Sequence, residues 1–449
     1  MVADESLVLL TDLYQLTMAQ AYFSNHKLEQ ATFSLFVRSY PPNRGYLVSA
    51  GLHDVLEVLE NFAIDREALD YLRTQDLFTD DFLAFLQDIR FTGDVWAVPE
   101  GQLFFKDEPI LEVTAPIIEA QLVETFIINQ INLQSLIATK AARCVHAAAG
   151  RTVVDFALRR THGIDAGMKV ARSSYLAGFA GTSNVLAGKK YGIPTVGTMA
   201  HSFVMSFEDE IDAFRSYVGS FPEHSVLLID TYDTIAGARK AAEVAKEMAA
   251  RGQRLQAIRI DSGDLSKSAI GVRKILDDAG LADVPIIGSG GLDEYDLTEL
   301  SSAQIPYDSY GVGTKMGTSS DAPWSDMAYK LVEYGGKPVL KRSPGKSSWP
   351  AAKQVFRQKD SQGQFIKDIV GLREEHIDGA EALLRKVMGS GKTTVTLPTL
   401  AQSRSILAKE LERLPDETKT MRNPVHYGVE FTPRLIFLRE EIERKLVKS

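Results

Sequence analysis

Polar, charged and glycine residues recur at the ends of short apolar segments in the middle of the sequence. These segments are residues 152–156, 194–197, 225–229, 255–260, 284–287 and 307–311, and each except the last, which closes the series, is followed by a helical pattern. The residues that follow or end them are Arg159 and Arg160, Thr198 and His201, Asp230, Arg259 and Asp261, Gly288-Ser289-Gly290-Gly291, and Gly313, Thr314 and Lys315. Strand and helix in alternation predict a parallel sheet with helical crossovers, as a barrel or a doubly wound sheet. In a β/α barrel the carboxyl ends of the strands carry the active site. These side chains therefore predict an active site at the strand ends.

Two glycine-rich turns suit a phosphate. The first is residues 288–291 and the second is residues 311–314, and each stands between a strand and a helix. Without Cβ atoms the backbone can turn its N–H groups onto a phosphate at a helix start. The alternative is a tight turn that binds nothing.

The carboxylates after the strands suit sugar hydroxyls or Mg²⁺, which prefers oxygen ligands. Asp261 is the stronger candidate, because Asp264 stands directly before a helix and could simply cap it. Arg259 lies inside the apolar run 255–260, so it must find either a ligand or a buried partner such as a neighbouring Asp.

Single residues of reactive type are harder to interpret. His201 follows a strand at a helix start, where a structural role is the alternative to a catalytic one. Arg159 and Arg160 could hold phosphates, with one of them only a surface charge. Cys144, the single cysteine, lies in a helix-like stretch and is expected to pack.

Composition narrows the class of protein. A hydrophobic content of 45% and a charged content of 24% are those of a globular protein with a normal core. The net charge of −9 argues against a nucleic-acid binder, which needs a basic surface. One cysteine excludes an internal disulfide framework. With no apolar run long enough for a signal peptide or a membrane span, we expect a cytoplasmic protein without membrane contact.

The rest of the sequence predicts two flanking regions. An N-terminal α/β domain is expected over residues 1–135, a β/α barrel over 136–330, and a C-terminal portion over 331–449 that packs on the N-terminal domain and ends in helices. No G-x-G-x-x-G opens the first β/α unit, which disfavours a dinucleotide-binding sheet.

Several long segments resemble nicotinate phosphoribosyltransferase. They are residues 11–23 (TDLYQLTMAQAYF), 173–202, 229–234 (IDTYDT), 259–265 (RIDSGDL) and 288–294 (GSGGLDE). The resemblance implies a type II phosphoribosyltransferase fold, an irregular β/α barrel with an N-terminal α/β domain and a C-terminal helical extension. It also implies a homodimer with shared active sites. The implied reaction converts nicotinate and phosphoribosyl pyrophosphate to nicotinate mononucleotide and pyrophosphate, with Mg²⁺, ATP as co-substrate and no organic prosthetic group.

The resemblance also implies roles for individual residues. His201 is the residue phosphorylated by ATP, and Tyr14 stacks on the nicotinate ring from the partner subunit. Thr198 and Arg259 hold the nicotinate, and Asp230 binds a ribose hydroxyl. The implied surroundings of the ribose and phosphates are Arg159, Asp261, Ser289, Gly290, Gly291, Gly313, Thr314 and Thr318, with Asp261 also holding Mg²⁺ through the substrate. Phe156 and Ser183 complete the expected substrate-binding set.

Two positions bear on specificity. The relative that uses nicotinamide carries an Asp where Ser183 stands, and an Asp would repel a carboxylate, so Ser183 favours the acid. Many members carry a histidine where Met199 stands, and the consequence of that difference stays open.

The rival interpretations are a nicotinamide phosphoribosyltransferase, a quinolinate phosphoribosyltransferase, for which the chain is long, and a catalytically silent nucleotide-binding barrel.

Overall fold

The computed structural model describes residues 4–341 and 348–448, which divide into two units. The first comprises the described residues of 1–139 and 322–449, and the second is Lys140–Asp321. The expected boundaries at 135/136 and 330/331 are therefore displaced, and the expected N- and C-terminal regions form one discontinuous unit. The boundary at 330/331 falls inside a strand, Met327–Tyr334, that pairs with Gln30–Val37 of the first unit. A strand's apolar pattern does not reveal which sheet it joins.

The described part of the N-terminal segment supplies five strands and six α-helices. The strands are β1 Gln30–Val37, β2 Leu47–Val48, β3 Asp94–Ala97, β4 Leu103–Phe104 and β5 Leu111–Pro116. The helices are α1 Leu13–Ser24, α2 Leu52–Glu60, α3 Arg66–Arg73, α4 Asp80–Asp88, α5 Ile117–Leu122 and α6 Glu124–Ala147.

The middle segment supplies the strands and helices of the second unit. The strands are β6 Thr152–Asp155, β7 Val226–Leu228, β8 Ala257–Ile260, β9 Ile286–Gly288 and β10 Ser309–Val312. The helices are α7 Ile164–Leu176, α8 Val185–Tyr191, α9 His201–Met205, α10 Glu210–Ser220, α11 Thr234–Ala249, α12 Leu265–Asp278, α13 Glu294–Ser302 and α14 Thr314–Gly317. Short 3₁₀ helices lie at Asp4–Leu9, Leu158–Arg160 and Pro222–His224.

The C-terminal segment contains strands as well as the expected helices. The strands are β11 Met327–Tyr334, β12 Lys337–Pro338, β13 Lys353–Lys359, β14 Phe365–Leu372, β15 Ala380–Ala382, β16 Arg385–Gly389, β17 Lys392–Thr393 and β18 Val429–Phe431. The helices are α15 Leu400–Arg413, α16 Asp416–Lys419 and α17 Pro433–Lys448. A helical extension alone therefore describes this segment incompletely.

The first unit is built on a seven-stranded antiparallel sheet that draws on both ends of the chain. Its order is β12-β11-β1-β5-β3-β16-β17, and a four-stranded sheet, β15-β13-β14-β18, lies in the same unit. Apolar residues of the large sheet and of helices α1 to α6 form its main core, with Phe33 stacked on Tyr329 at 4.8 Å between ring centroids.

The second unit is an irregular parallel barrel, as expected. Its five-stranded sheet has the order β6-β10-β9-β8-β7, and every pair in it is parallel. Isolated parallel bridges from Asp155 to Thr182 and from Thr182 to Thr195 add two short strand positions beyond β6. Within the described part of the chain no pairing joins the segment at Thr195 to β7, so the ring stays open there.

One predicted element was wrong. The helix-like pattern over residues 171–191 predicts a single helix, but the chain forms α7 and α8 with the bridging segment around Thr182 between them. Gly178 ends α7 at a φ of +112°, a conformation that favours glycine, and Asn184 caps α8 by accepting a hydrogen bond from the Ala187 N–H.

Side-chain caps begin the helices that follow strands β7, β8 and β9. Each cap accepts a hydrogen bond from a backbone N–H of the first helical turn, which would otherwise lack a partner. The caps are Asp233 for α11, Asp264 for α12 and Asp293 for α13. Asp264 therefore caps a helix, which is the structural role that the sequence allowed for it. In the described part of the chain, no helix combines the length and the apolar character needed to cross a membrane.

Candidate active site

A cavity of about 660 Å³ opens at the carboxyl ends of the barrel strands. It lies entirely within the second unit. Its lining residues are Phe156, Leu158, Arg159, Arg160, Ser183, Gly197, Thr198, Met199, Ala200, His201, Ser202, Leu228, Arg259, Asp261, Ser289, Gly290, Gly291, Gly311, Gly313 and Thr314. Since parallel strands end at the same edge, residues far apart in sequence meet here.

Arg259 is the centre of the hydrogen-bond network in this cavity. Its Nε donates to Ser289 Oγ at 2.9 Å, its Nη1 to Thr198 Oγ1 at 2.5 Å and its Nη2 to Asp261 Oδ1 at 2.8 Å. The guanidinium carbon also lies 5.5 Å from the centre of the Phe156 ring. Three of the five N–H groups of an arginine are thereby used, which leaves two for a ligand. From the sequence, either a ligand or a neighbouring Asp could be the partner of Arg259, and in the structure Asp261 is that partner.

Asp261 accepts hydrogen bonds through one carboxylate oxygen and leaves the other uncommitted to them. Its Oδ1 receives both Arg259 Nη2 and the hydroxyl of Ser289, the latter at 2.6 Å. Burial alone would raise the pKa of Asp261, but the hydrogen bonds from Ser289 and Arg259 and the charge of Arg259 outweigh it and lower the pKa. The side chain therefore carries its negative charge at neutral pH.

Asp230 fixes the turn that carries Asp261. Its Oδ2 accepts from the backbone N–H of Asp261 at 3.0 Å and from the hydroxyl of Ser262 at 2.5 Å. Among the residues that the structure describes, none donates a hydrogen bond to Asp230 Oδ1, which is buried. A buried carboxylate oxygen is costly to leave unpaired, so Oδ1 has the capacity to accept a further hydrogen bond.

His201 begins helix α9 at the cavity wall. Its Nδ1 lies 3.1 Å from Thr231 Oγ1, and its Nε2 lies 3.9 Å from Asp261 Oδ2. The imidazole side chain is 39% exposed, so an incoming group can reach it. With the proton on Nδ1 and donated to Thr231, Nε2 keeps a free electron pair.

The glycine turn at 288–291 comes close to the turn after β8. A Cβ at Gly290 would lie 1.8 Å from the Asp261 carbonyl oxygen, and Gly290 has a φ of +96°. No residue within the described ranges accepts a hydrogen bond from the backbone N–H of Gly290 or Gly291. These N–H groups are therefore available to an anion.

Asp155 organises the cavity and was not identified from the sequence. Its side chain, fully buried, accepts from the Ala157 N–H at 2.8 Å and from the Thr182 hydroxyl at 2.7 Å. It thus ties the turn bearing Phe156 to the segment bearing Ser183. A charge inside the apolar run TVVDF was the available signal, the same one that singled out Arg259.

Some predicted residues lie outside the cavity lining. Asp230 stands behind Asp261, and Thr318 ends α14 with its hydroxyl donating to Thr314 O at 2.8 Å. Tyr14 belongs to α1 of the first unit, where 49% of its surface is exposed. Their substrate roles stay predictions. Ser289 lines the cavity but is 1% exposed, and its hydroxyl is engaged by Arg259 and Asp261.

Two further expectations concern cysteine and metal. Cys144 is fully buried, as expected for a packing residue. The described residues contain no group of three or more His, Cys, Asp or Glu side chains that could hold a metal ion without a substrate.

Family models of nicotinate phosphoribosyltransferase match most of the chain. The model of the N-terminal domain matches residues 9–132, the main family model residues 152–348, and the C-terminal domain model residues 379–439.

Individual relatives agree along nearly the whole length. Nicotinate phosphoribosyltransferase pncB2 of Mycobacterium tuberculosis is 48% identical over 430 residues, which are 95% of this chain and 92% of that protein. The nicotinate phosphoribosyltransferase of Bacillus subtilis is 40% identical over 391 residues, 85% of this chain and 79% of that one. The crystal structure of human nicotinic acid phosphoribosyltransferase covers 96% of this chain and 99% of its own, with a TM-score of 0.84 and 29% identity. The chain belongs to the nicotinate phosphoribosyltransferase family, which confirms the resemblance and the fold expected from the sequence.

Proposed function

We propose that the chain transfers the phosphoribosyl group of phosphoribosyl pyrophosphate to nicotinate, releasing nicotinate mononucleotide and pyrophosphate for NAD biosynthesis. The observation that carries the proposal is the placement of Arg259, which suits a carboxylate, and two glycine turns, which suit phosphates, in one cavity. The family and the relatives named above support the same reaction.

Nicotinate is held at the Arg259 end of the cavity. The two N–H groups that Arg259 does not spend on the protein bind the substrate carboxylate, and Phe156 packs on the pyridine ring. Ser183 and Thr198 line the same cavity. Because Ser183 carries no charge, it does not repel a carboxylate, which favours nicotinate over nicotinamide.

The phosphates lie at the glycine turns. The backbone N–H groups of Gly290 and Gly291, together with the turn at Gly313 and Thr314, hold phosphate oxygens of phosphoribosyl pyrophosphate, and Arg159 neutralises their charge. Asp230 Oδ1 accepts from a ribose hydroxyl, since it is a buried acceptor without a protein donor in the described part of the chain.

Mg²⁺ fits this site only as an ion shared with substrate. Asp261 Oδ2, which accepts no hydrogen bond from the described residues, is an oxygen ligand of the kind Mg²⁺ prefers. A single protein ligand suits an ion whose other ligands are phosphates and water. When bound, Mg²⁺ neutralises charge on the leaving pyrophosphate. The protein's own part is to align the ring nitrogen with the ribose carbon and to stabilise the leaving charge with N–H groups and arginine.

His201 couples the reaction to ATP. Its Nε2 attacks the γ-phosphorus of ATP, a nitrogen–phosphorus bond forms as the bond to the ADP oxygen breaks, and water later hydrolyses the phosphohistidine to phosphate. The hydrogen bond between Nδ1 and Thr231 holds the ring so that Nε2 faces Asp261. The added negative charge beside Asp261 then favours Mg²⁺ and the substrate-bound arrangement of the turns.

A single incubation tests the reaction. The chain is mixed with nicotinate or nicotinamide, phosphoribosyl pyrophosphate, Mg²⁺ and ATP, mononucleotide is followed by chromatography, and intact mass is checked for one added phosphoryl group. Turnover of nicotinate but not nicotinamide is expected. Turnover of nicotinamide instead of nicotinate would show that the chain is a nicotinamide phosphoribosyltransferase. Failure to bind phosphoribosyl pyrophosphate would show that the chain is a catalytically silent barrel. If His201→Ala kept full ATP-stimulated turnover, the phosphohistidine would be refuted.

The chain further acts as a cytoplasmic homodimer in which Tyr14 stacks on nicotinate bound to the partner subunit. The half-exposed Tyr14 side chain supports a contact with a ligand of the partner, and a single cysteine suits a compartment in which disulfides do not form. Mixing inactive Tyr14→Ala and Arg259→Ala chains tests it. If Tyr14 acts across the dimer, the mixed dimer contains one intact site and regains activity, whereas no regain refutes the shared site.

A further inference from the structure

A second cavity, of about 160 Å³, lies within the first unit. Its walls come from α2, from the turn between β3 and β4, from β16, from residues 395–398 and from α15. Its lining residues and those of the active-site cavity are separate sets. An apolar protein cavity of roughly 150 Å³ can hold one benzene molecule, so this cavity has the size for a single six-membered ring.

Most of the cavity wall is apolar, and one side of it is open to solvent. Leu52 and Val387 are buried in the wall, and Ile406 also belongs to it. Val395 and Arg385 line the same cavity but are exposed. A small molecule can therefore enter past Val395 and Arg385 and pack its ring against the apolar side chains.

Two polar side chains in the wall have buried atoms without a hydrogen-bond partner. Gln102 is only 8% exposed, and its Oε1 receives no hydrogen bond from the residues that the structure describes. Nε2 of His53 is likewise without a hydrogen bond in the described ranges, since it lies 3.7 Å from Glu100 Oε2, beyond hydrogen-bond distance. Buried polar atoms are costly to leave unpaired, so they usually have a protein group, water or a ligand as partner. Two of them in one small cavity indicate an occupant that both donates and accepts.

The charged residues of the wall favour a neutral occupant. Glu100 is buried in the wall, and its Oε1 accepts a hydrogen bond from the Gly51 N–H at 2.7 Å. Its carboxylate opposes an anion, and Arg385 on the exposed side opposes a cation. A charge of either sign would also lose hydration that a mostly apolar cavity does not replace.

We propose that this cavity is a binding site for a small neutral carboxamide carried on a six-membered ring. The ligand NH₂ group donates to Gln102 Oε1, and the ligand carbonyl accepts from His53 Nε2 when that nitrogen carries the proton. The ring packs on Leu52 and Val387. The site does not depend on the proposed reaction, because no residue of the active-site cavity takes part in it.

Calorimetric titration of benzamide into the whole chain tests this site. Gln102→Leu and His53→Leu are each expected to weaken benzamide binding by about tenfold to a hundredfold, because the amide then enters the cavity without its partner. Toluene, which has the ring but no amide, should bind to Gln102→Leu at least as tightly as to the wild-type chain. Since leucine replaces a buried amide that has no partner, the Tm of Gln102→Leu should not fall.

The matched control is Gln87→Leu, which replaces an exposed glutamine of α4 outside the cavity wall and should leave benzamide binding unchanged. Phe156→Ala alters the active-site cavity and should leave this binding in place. Loss of benzamide binding in Phe156→Ala but not in Gln102→Leu would locate the ligand in the active-site cavity and refute the second site. A wild-type chain that binds no benzamide refutes it too, because water alone then fills the cavity. If Gln102→Leu does not fold, an unchanged affinity of His53→Leu is the refuting result.

Discussion

Replacing Arg259 by lysine keeps the positive charge and removes the planar fork. The guanidinium spends three N–H groups on Ser289, Thr198 and Asp261 and keeps two for a substrate carboxylate. A lysine ammonium has three N–H groups in all, so it cannot serve those acceptors and a carboxylate together.

The magnitude follows from the number of bonds lost. A hydrogen bond to a charged group contributes about 1.5–3 kcal/mol, so losing one or two of them at this largely buried position costs roughly 2–4 kcal/mol. That corresponds to a fall in kcat/KM for nicotinate of about 30-fold to 1000-fold. KM for phosphoribosyl pyrophosphate should change much less, because the glycine turns are intact.

Steady-state kinetics with each substrate varied in turn provides the measurement. Arg254→Lys is the matched control: Arg254 lies before the opposite end of β8, with a side chain 59% exposed and paired with Asp283, and its replacement should leave both KM values unchanged. A loss below about threefold for Arg259→Lys would contradict the bidentate role, since two such bonds cannot cost so little. An equal rise in both KM values would contradict the assignment of Arg259 to the carboxylate.

Three further changes have defined outcomes. Gly290→Ala places a Cβ 1.8 Å from the Asp261 carbonyl oxygen at a φ of +96°, so the free energy of unfolding should fall by about 2–4 kcal/mol. Gly291 has a φ of +70° but lies in open space, so Gly291→Ala should lower the free energy of unfolding by about 1 kcal/mol. Equal losses for the two variants in denaturant titrations would contradict the effect of the close approach. Glu294→Gln leaves the buried Lys140 undercompensated and should lower stability by about 3–5 kcal/mol in the same assay, and a loss under about 1 kcal/mol would show that Lys140 is paired well enough without it. Because the folded pKa of Asp261 is lowered, its stabilising contribution is present above the ordinary pKa of an aspartate and is lost as pH falls through the folded value; Asp261→Asn should flatten the acid side of the stability profile, and an unchanged acid side would refute that contribution.

The barrel and its site edge were largely predictable from local pattern. Apolar runs followed by helical periodicity gave the strands β6 to β10 within a few residues, and the parallel order requires their carboxyl ends to share one edge. The prediction of one continuous helix over residues 171–191 failed because the break between α7 and α8 has no hydrophobic periodicity of its own. Residues 177–184, which form this break, are rich in glycine and short polar side chains.

The domain division could not be predicted for a different reason. β11 pairs with β1 across almost three hundred residues of chain, and a strand's sequence carries its alternation but not the identity of its partner. The C-terminal strands β13 to β16 were not predicted either, although β13 and β14 are seven and eight residues long and pair with each other. Of these strands, β16 has a partner distant in sequence, β3.

By itself the sequence determined which residue types stand at the strand ends, because the alternation of apolar runs and turns is a local property of the chain. It also determined, through long shared segments, the family to which the chain belongs. Only the tertiary structure decided how those residues are used. It paired Arg259 with Asp261 and turned Ser289 from a candidate ligand into the bridge between them. Hydrogen bonds between residues thirty to sixty positions apart depend on strand register and side-chain direction, which the fold sets and the sequence pattern does not record.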